Sequence, residues 1–303
     1  MGDSIIRATA AQGTIRAVAV VSTQTVEDAR IRHTTSATAT AALGRSLTAA
    51  ALLGAGLKDT QSVLLRVLGD GPIGGIVAQA DAEGHVRGYA VHPHADLPQT
   101  NRRKLDVGGL VGRRGMLHVT RDLGIRTSYH GSAPLVSGEI AEDLASYLVT
   151  SEQIPSVVSL GVLVAPDLSV LASGGLCIQV LPGAPPEVAQ DLESRARQLP
   201  PITRMMSDGH TAEDMLAAAL GDLAPHIGMT TPLAFQCRCS RERVEGVLQM
   251  LGVQELEALL AQEGRAEVTC RFCGDRYVLT EEEVQTLIAR LKREGTQPER
   301  RLM

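Results

Sequence analysis

Four cysteines stand in two close pairs, Cys237-Arg238-Cys239 and Cys270-Arg271-Phe272-Cys273, separated by residues 240–269. Two pairs of soft sulfur ligands suit a tetrahedral zinc ion, so the spacing predicts a four-cysteine metal centre. Gly274 follows the second pair and fits the left-handed turn of a zinc knuckle, where backbone N–H groups point at the sulfurs. The same residues could instead work as two redox dithiols without metal. A body this small holds too few apolar residues to fold well unaided, so a bound metal would supply much of its folding energy.

The Cys-x-Cys pair adds a second chemistry. Metal-bound sulfurs are thiolates, the form oxidants attack, and neighbouring cysteines can close disulfides with each other once the metal is lost. Arg238, Arg241, Arg271 and Arg276 lie nearby in the chain. They either help keep the thiolates ionised or are ordinary exposed arginines. Apparent zinc-binding free energies of about 10–16 kcal/mol exceed the stability expected of such a module. Oxidation that ejects the metal is therefore expected to unfold the module and to loosen weak structure beside it. The fifth cysteine, Cys177, sits in an apolar run and reads as a buried small hydrophobe outside the switch.

The elements that must carry these residues follow from the rest of the chain. Its 303 residues suffice for two domains and a connection. With no Trp, two Phe and four Tyr, the core must be built from Ala, Val, Leu and Ile. A formal charge of −5 argues against general nucleic-acid binding, which needs a basic surface. Neither a basic n-region nor an apolar h-region opens the chain, so the expectation is a cytoplasmic protein. Residues 37–57 are apolar or small on every face and long enough to span a bilayer, but Arg45 sits in their middle. They are expected to form a buried central helix that sheets approach from two sides. A buried Arg45 needs an acidic partner, which the sequence does not identify.

Residues 1–183 read as an N-terminal α+β domain. Ile5–Ala10 and Thr14–Val21 form a hairpin, and Val63–Leu68, Ile76–Ala80, Val86–Val91 and Leu117–Thr120 are further strands. Ile140–Val149 is helical, and Val157–Val164 and Ser169–Val180 pair across Ala165-Pro166-Asp167. Residues 184–235 form a helical linker with Pro186–Gln198 and Thr211–Leu220 as its helices; neither is stable alone, so both must lean on neighbours. Residues 236–303 form the C-terminal zinc module. Its helices are Ser240–Leu251 and Gln254–Gln262, with Val244, Val247 and Leu248 facing inward, then two strands, then a last helix capped by Thr280 and Glu283. The tail 294–303 is expected to be disordered.

Nearly the whole chain resembles the redox-regulated heat-shock holdase chaperones, the thirty-three-kilodalton heat-shock protein family. The resemblance is carried by RHTTSATATAALGRSLTAAALLGAGLK (32–58), GDGPIGGIVAQADAEGHVRGYA (69–90) and KLDVGGLVGRRGMLHVTRDLG (104–124). It continues through VSGEIAEDLASYLVTSEQIPSVVSLGVLV (136–164), FQCRCSRERV (235–244) and CRFCGDRYVLT (270–280). The resemblance implies one zinc ion held by Cys237, Cys239, Cys270 and Cys273 in a reduced, inactive monomer. It implies that oxidation forms the disulfides Cys237–Cys239 and Cys270–Cys273, releases zinc, and unfolds the module and linker. A homodimer would then hold unfolding client proteins without ATP; this is a chaperone, not an enzyme, with no nucleic-acid or membrane partner.

Three other motifs carry less. Gly69-Asp70-Gly71-Pro72-Ile73-Gly74 matches part of a dinucleotide loop, but the β-rich 76–80 follows where a helix is needed, so a tight turn is expected. His92-Pro93-His94 lacks a third ligand and reads as an exposed loop. The Cys-x-x-Cys would suit a thiol–disulfide oxidoreductase only at a helix start, whereas Cys270 follows a strand.

Overall fold

Alternating apolar runs in the first half of the chain pair into two sheets that enclose one helix. The computed structural model describes residues 2–100, 104–124 and 127–295. Its packing divides the chain into two units, residues 1–236 and 237–303.

The first unit opens with β1 (Ser4–Ala10), β2 (Ile15–Val21), α1 (Thr23–His33) and α2 (Ala37–Gly54). Next come β3 (Ser62–Gly69), β4 (Ile76–Asp81), β5 (His85–Ala90), α3 (Val107–Val111), β6 (Gly115–Asp122) and β7 (Tyr129–Pro134). It continues with α4 (Ala141–Thr150), β8 (Ser156–Val164), β9 (Val170–Val180), α5 (Pro186–Gln198), α6 (Ile202–Ser207), α7 (Ala212–Leu220), β10 (His226–Pro232) and β11 (Ala234–Phe235). One sheet has the order β10-β1-β2-β9-β8, the other β11-β5-β4-β3-β6-β7. All these pairs are antiparallel except β11 with β5. The fold is α+β, as expected from strands that precede and follow helices.

Helix α2 is the predicted buried helix. Every residue from Thr38 to Gly54 is buried, and the helix packs on β3, β4 and β5 of one sheet and on β8 and β9 of the other. Small residues make that approach possible: a Cβ on Gly44 would stand 2.6 Å from Val26 Cγ1 and 2.9 Å from Val162 Cγ2. No helix among the described residues is long and apolar enough to cross a membrane.

Arg45 has its acidic partner in Glu139, with Nη1 2.6 Å from Oε2. The sequence could not name it because the pairing spans 94 residues. Asp143, fully buried at the start of α4, places that glutamate. Its carboxylate accepts backbone N–H bonds from Val136, Ser137, Gly138 and Ile140 and so ties the loop that carries Glu139.

Residues 184–235 lean on the first sheet. Leu192 of α5, Ile202 and Met205 of α6, and Met215, Leu216 and Leu220 of α7 join one core with Ile6, Ile15 and Ile178 of β1, β2 and β9. The segment is not wholly helical: β10 pairs with β1 and β11 with β5. The glycine pattern at 69–74 is a turn running into β4, with no following helix. His92 and His94 lie in a loop, where His94 Nδ1 contacts the Thr34 carbonyl at 3.0 Å.

The second unit holds α8 (Arg241–Glu263), β12 (Ala266–Thr269), β13 (Arg276–Leu279) and α9 (Glu281–Gly295). The two helices expected between the cysteine pairs run on as α8 with a break at Gly252 (φ 83°). Val244, Leu248, Leu256, Val284, Leu287 and Ile288 form its small core. Val247, expected inward, is instead 51% exposed. It directly precedes Leu248, and neighbours on a helix cannot share one narrow face. Helix α9 runs through Gly295; the rest of the tail, 296–303, lies outside the described residues.

Candidate metal centre

The two cysteine pairs sit in connections between elements, the second of them in a tight turn. Cys237 and Cys239 precede α8, whose N-cap Ser240 accepts a hydrogen bond from the Arg243 N–H. Cys270 and Cys273 occupy the connection between β12 and β13. There the Cys270 N–H donates to the Asp275 carbonyl at 2.9 Å, and the Gly274 N–H donates to the Cys270 carbonyl at 2.8 Å. Gly274 takes φ 77°, the left-handed conformation that the knuckle requires.

These connections bring all four Sγ atoms within 4.8 Å of one another. Cys237 Sγ lies 3.7 Å from Cys270 Sγ, and Cys239 Sγ lies 3.3 Å from Cys273 Sγ. Zinc–sulfur bonds of about 2.3 Å imply tetrahedral edges of roughly 3.8 Å, so the donor set fits a four-coordinate ion. Both contacts cross between the pairs, and with every sulfur so close, distance alone favours no disulfide pairing.

The chemistry of the donors calls for a cation. Burial pushes the thiols of Cys239 and Cys273 above their ordinary value, and for Cys273 the neighbouring thiols add to the push. Opposing that, the Asp275 backbone N–H points at the Cys273 sulfur, as the knuckle predicts. The Tyr277 hydroxyl donates to Cys239 Sγ at 3.1 Å. That hydrogen bond, with burial, pushes the Tyr277 phenol up. Tyr277 is the functional contact that sequence reading missed; its only signal was its place in the strand after the knuckle.

Two of the nearby arginines have other partners. Arg241 pairs with Glu283 at 2.5 Å and Arg276 with Glu267 at 2.5 Å. Both therefore behave as surface ion-pair residues. Cys177 lies buried in β9, where burial pushes its thiol up to about 12. The one other grouping of potential ligands among the described residues, Asp81, Glu83 and His85, is bound up in the β4–β5 turn. Asp81 Oδ1 accepts the backbone N–H bonds of Glu83 and His85.

The chain is similar to known proteins of one family. The model of the family described as "Hsp33 protein" matches residues 3–280. The 33 kDa chaperonin of Oceanobacillus iheyensis is 46% identical over 95% of this chain and 99% of its own. That of Desulforamulus reducens is 46% identical over 96% and 99%. The crystal structure of the 33 kDa chaperonin, a heat shock protein 33 homolog, of Thermotoga maritima superimposes with a TM-score of 0.90. It is 38% identical and covers 98% of this chain and all of the other.

Proposed function

The chain belongs to the Hsp33 family of chaperones, and we propose that it is a redox-regulated, ATP-independent holdase whose switch is the Cys237, Cys239, Cys270 and Cys273 centre. The observation that carries this reading is the convergence of four sulfurs within 4.8 Å in a unit with a small apolar core. In the reduced state Cys237, Cys239, Cys270 and Cys273 would hold one Zn2+ as thiolates, and the metal would supply a cross-link between the start of α8 and the β12–β13 turn. Tyr277 and the knuckle N–H groups stabilise the sulfur charge from outside the ligand set.

On oxidation the four thiolates lose two electrons per disulfide and become Cys237–Cys239 and Cys270–Cys273. Each disulfide formed with peroxide consumes one peroxide and two protons from solvent and releases two waters, the two electrons of the sulfurs reducing the peroxide. No thiolate ligand then remains, and the core around Leu248, Leu256 and Val284 is too small to hold the module folded. Residues 184–235, which carry the redox-sensitive linker in this reading, follow the module out of order. They would expose the apolar faces of α5, α6 and α7 and of β1, β2 and β9 beneath them. The oxidised protein dimerises and binds unfolding clients in the cytoplasm. It is not an enzyme and takes no nucleic acid or membrane as partner.

The direct test is light scattering of a thermally denaturing client in the presence of reduced and of peroxide-treated protein. Suppression by the oxidised form alone is expected; equal suppression by both would sink the switch.

A further inference from the structure

The first sheet breaks its own alternation at one corner. On β2, Ile15, Ala17 and Ala19 join the core beneath the helices of residues 184–235, so Arg16, Val18 and Val20 point to the opposite side, toward α2. Val18 and Val20 are buried there, but Arg16 is exposed. The strand register places Arg16 opposite Thr9 of β1 and Gln179 of β9, and Thr9 opposite His226 of β10. Four polar side chains thus form one row across four strands. In the next row Val18 stands opposite Arg7 and Cys177.

Both rows line a cavity of about 440 Å³, to which Leu52, Leu53, Leu144 and Ile154 add apolar wall. The volume is that of a site for a small organic molecule. Its charges do not balance. Arg121 Nη2 bonds Glu152 Oε1 at 2.7 Å, and the Tyr147 hydroxyl donates to the same oxygen. Arg7 Nη1 donates to the Ala55 carbonyl at 3.0 Å and answers the negative end of α2. Arg16 makes no ion pair or side-chain hydrogen bond among the described residues, and neither do the side chains of Thr9, Gln179 and His226. The wall therefore carries three arginines against one carboxylate, and the arginine without a partner stands at the exposed end of an apolar pocket.

We propose that this cavity binds an organic anion with an apolar body. The anionic head pairs with the accessible guanidinium of Arg16, between the Thr9 hydroxyl and the Gln179 amide. The body runs inward over Val18 and Cys177 toward Leu52 and Leu53. A short anion would use the head site and leave the apolar wall empty; a neutral amphiphile would do the reverse. The row that receives the head belongs to the first sheet, and the β6–β7 connection contributes no described residue to the wall. The site is built wholly from the first unit and does not depend on the cysteine centre.

The test uses the full chain, reduced and zinc-loaded, titrated calorimetrically with octanoate, octan-1-ol and acetate. Octanoate should bind saturably and about tenfold more tightly than either of the others, since a hydrogen bond to a charged group contributes roughly that much. Its methylene protons should show nuclear Overhauser contacts to the methyl groups of Val18 and Leu53, which separates this cavity from any other apolar surface of the chain. Arg16→Gln alters an exposed side chain, so the variant should fold. It should weaken octanoate about tenfold, leave octan-1-ol unchanged and remove most of the salt dependence of binding. The absence of saturable octanoate binding would overturn the proposal, as would equal binding of octanoate and octan-1-ol or of octanoate and acetate. So would wild-type octanoate affinity in Arg16→Gln, or contacts from bound octanoate to methyl groups of α7 in place of Val18 and Leu53.

Discussion

Around the candidate metal centre, single contacts bear on the chemistry proposed for it. Tyr277 donates the hydroxyl bond to Cys239 Sγ, and groups that hydrogen-bond to metal ligands from outside typically contribute about 10–100-fold to metal affinity. Tyr277→Phe should therefore weaken zinc roughly tenfold in a chelator competition and speed thiol loss under peroxide. Unchanged affinity would show the contact to be incidental. Glu139 makes a second residue-scale case. Burial alone would raise its carboxyl, but the hydrogen bonds from Lys104 and Arg45 outweigh it and hold the group below its ordinary 4.5. A depressed carboxyl contributes stability that is present above its unfolded value and is lost as pH falls through its folded value. Chemical denaturation of Glu139→Gln against wild type should thus show a gap at neutral pH that narrows below about pH 4.5. At neutral pH the loss should be about 2–3 kcal/mol, under the ~3–5 of a fully buried pair because Glu139 is partly exposed.

Among the elements, α2 and α7 have opposite tolerances. Gly44 lets α1 and β8 close on α2, and its absent Cβ would meet side chains of Val26 and Val162 at 2.6 and 2.9 Å. Gly44→Ala improves helix propensity by roughly 1 kcal/mol, but overpacking of about 1–3 kcal/mol opposes it. The expected net result is a lower melting temperature, and a rise would mean that the two valines can rotate away. Helix α7 is held by Met215, Leu216 and Leu220, which are fully buried against the first sheet. Leu216→Ala should cost about 2–5 kcal/mol of local stability, read as faster amide exchange across residues 184–235. Under the proposed function it should also let part of the reduced population hold clients, because the linker is then loosened without oxidation. Most of these elements were legible beforehand: Pro186–Gln198 appears with the bounds its proline start and apolar face implied. The strands that escaped were β7, β10 and β11, which stand at the edges of the two sheets. Edge strands bury little and need no strict alternation, and β7 even contains Gly131 and ends on Pro134. Helix α1 escaped because Val26 and Ala29 are its only buried apolar residues.

For the whole molecule, the two units should answer differently to metal and oxidant. Chelation under reducing conditions should unfold 237–303 while the two sheets of the first unit persist, read by residue-resolved hydrogen exchange. A second unit that stays protected without metal would contradict the role given to zinc. Peroxide should release one equivalent of zinc and take the titratable thiols from five to one, the survivor being Cys177, buried in β9. Zinc retained through full oxidation, or loss of all five thiols, would count against the proposed switch.

Spacing and pattern alone were enough to pick out the four cysteines that the fold brings together and the buried helix. The Cys-x-x-Cys-Gly encodes its own turn locally, the Cys-x-Cys puts two ligand types side by side, and a helix apolar on every face has no stable place except inside. Tertiary structure alone decided which carboxylate answers Arg45, which hydroxyl reaches Cys239, and that residues 184–235 contribute strands to both sheets as well as helices. Each of these joins groups far apart in the chain or at a sheet edge, and their energies come from desolvation and pairing that exist only once the layers have closed. The four cysteines, by contrast, needed the fold only to bring together two short segments whose ligand types were already set by the sequence.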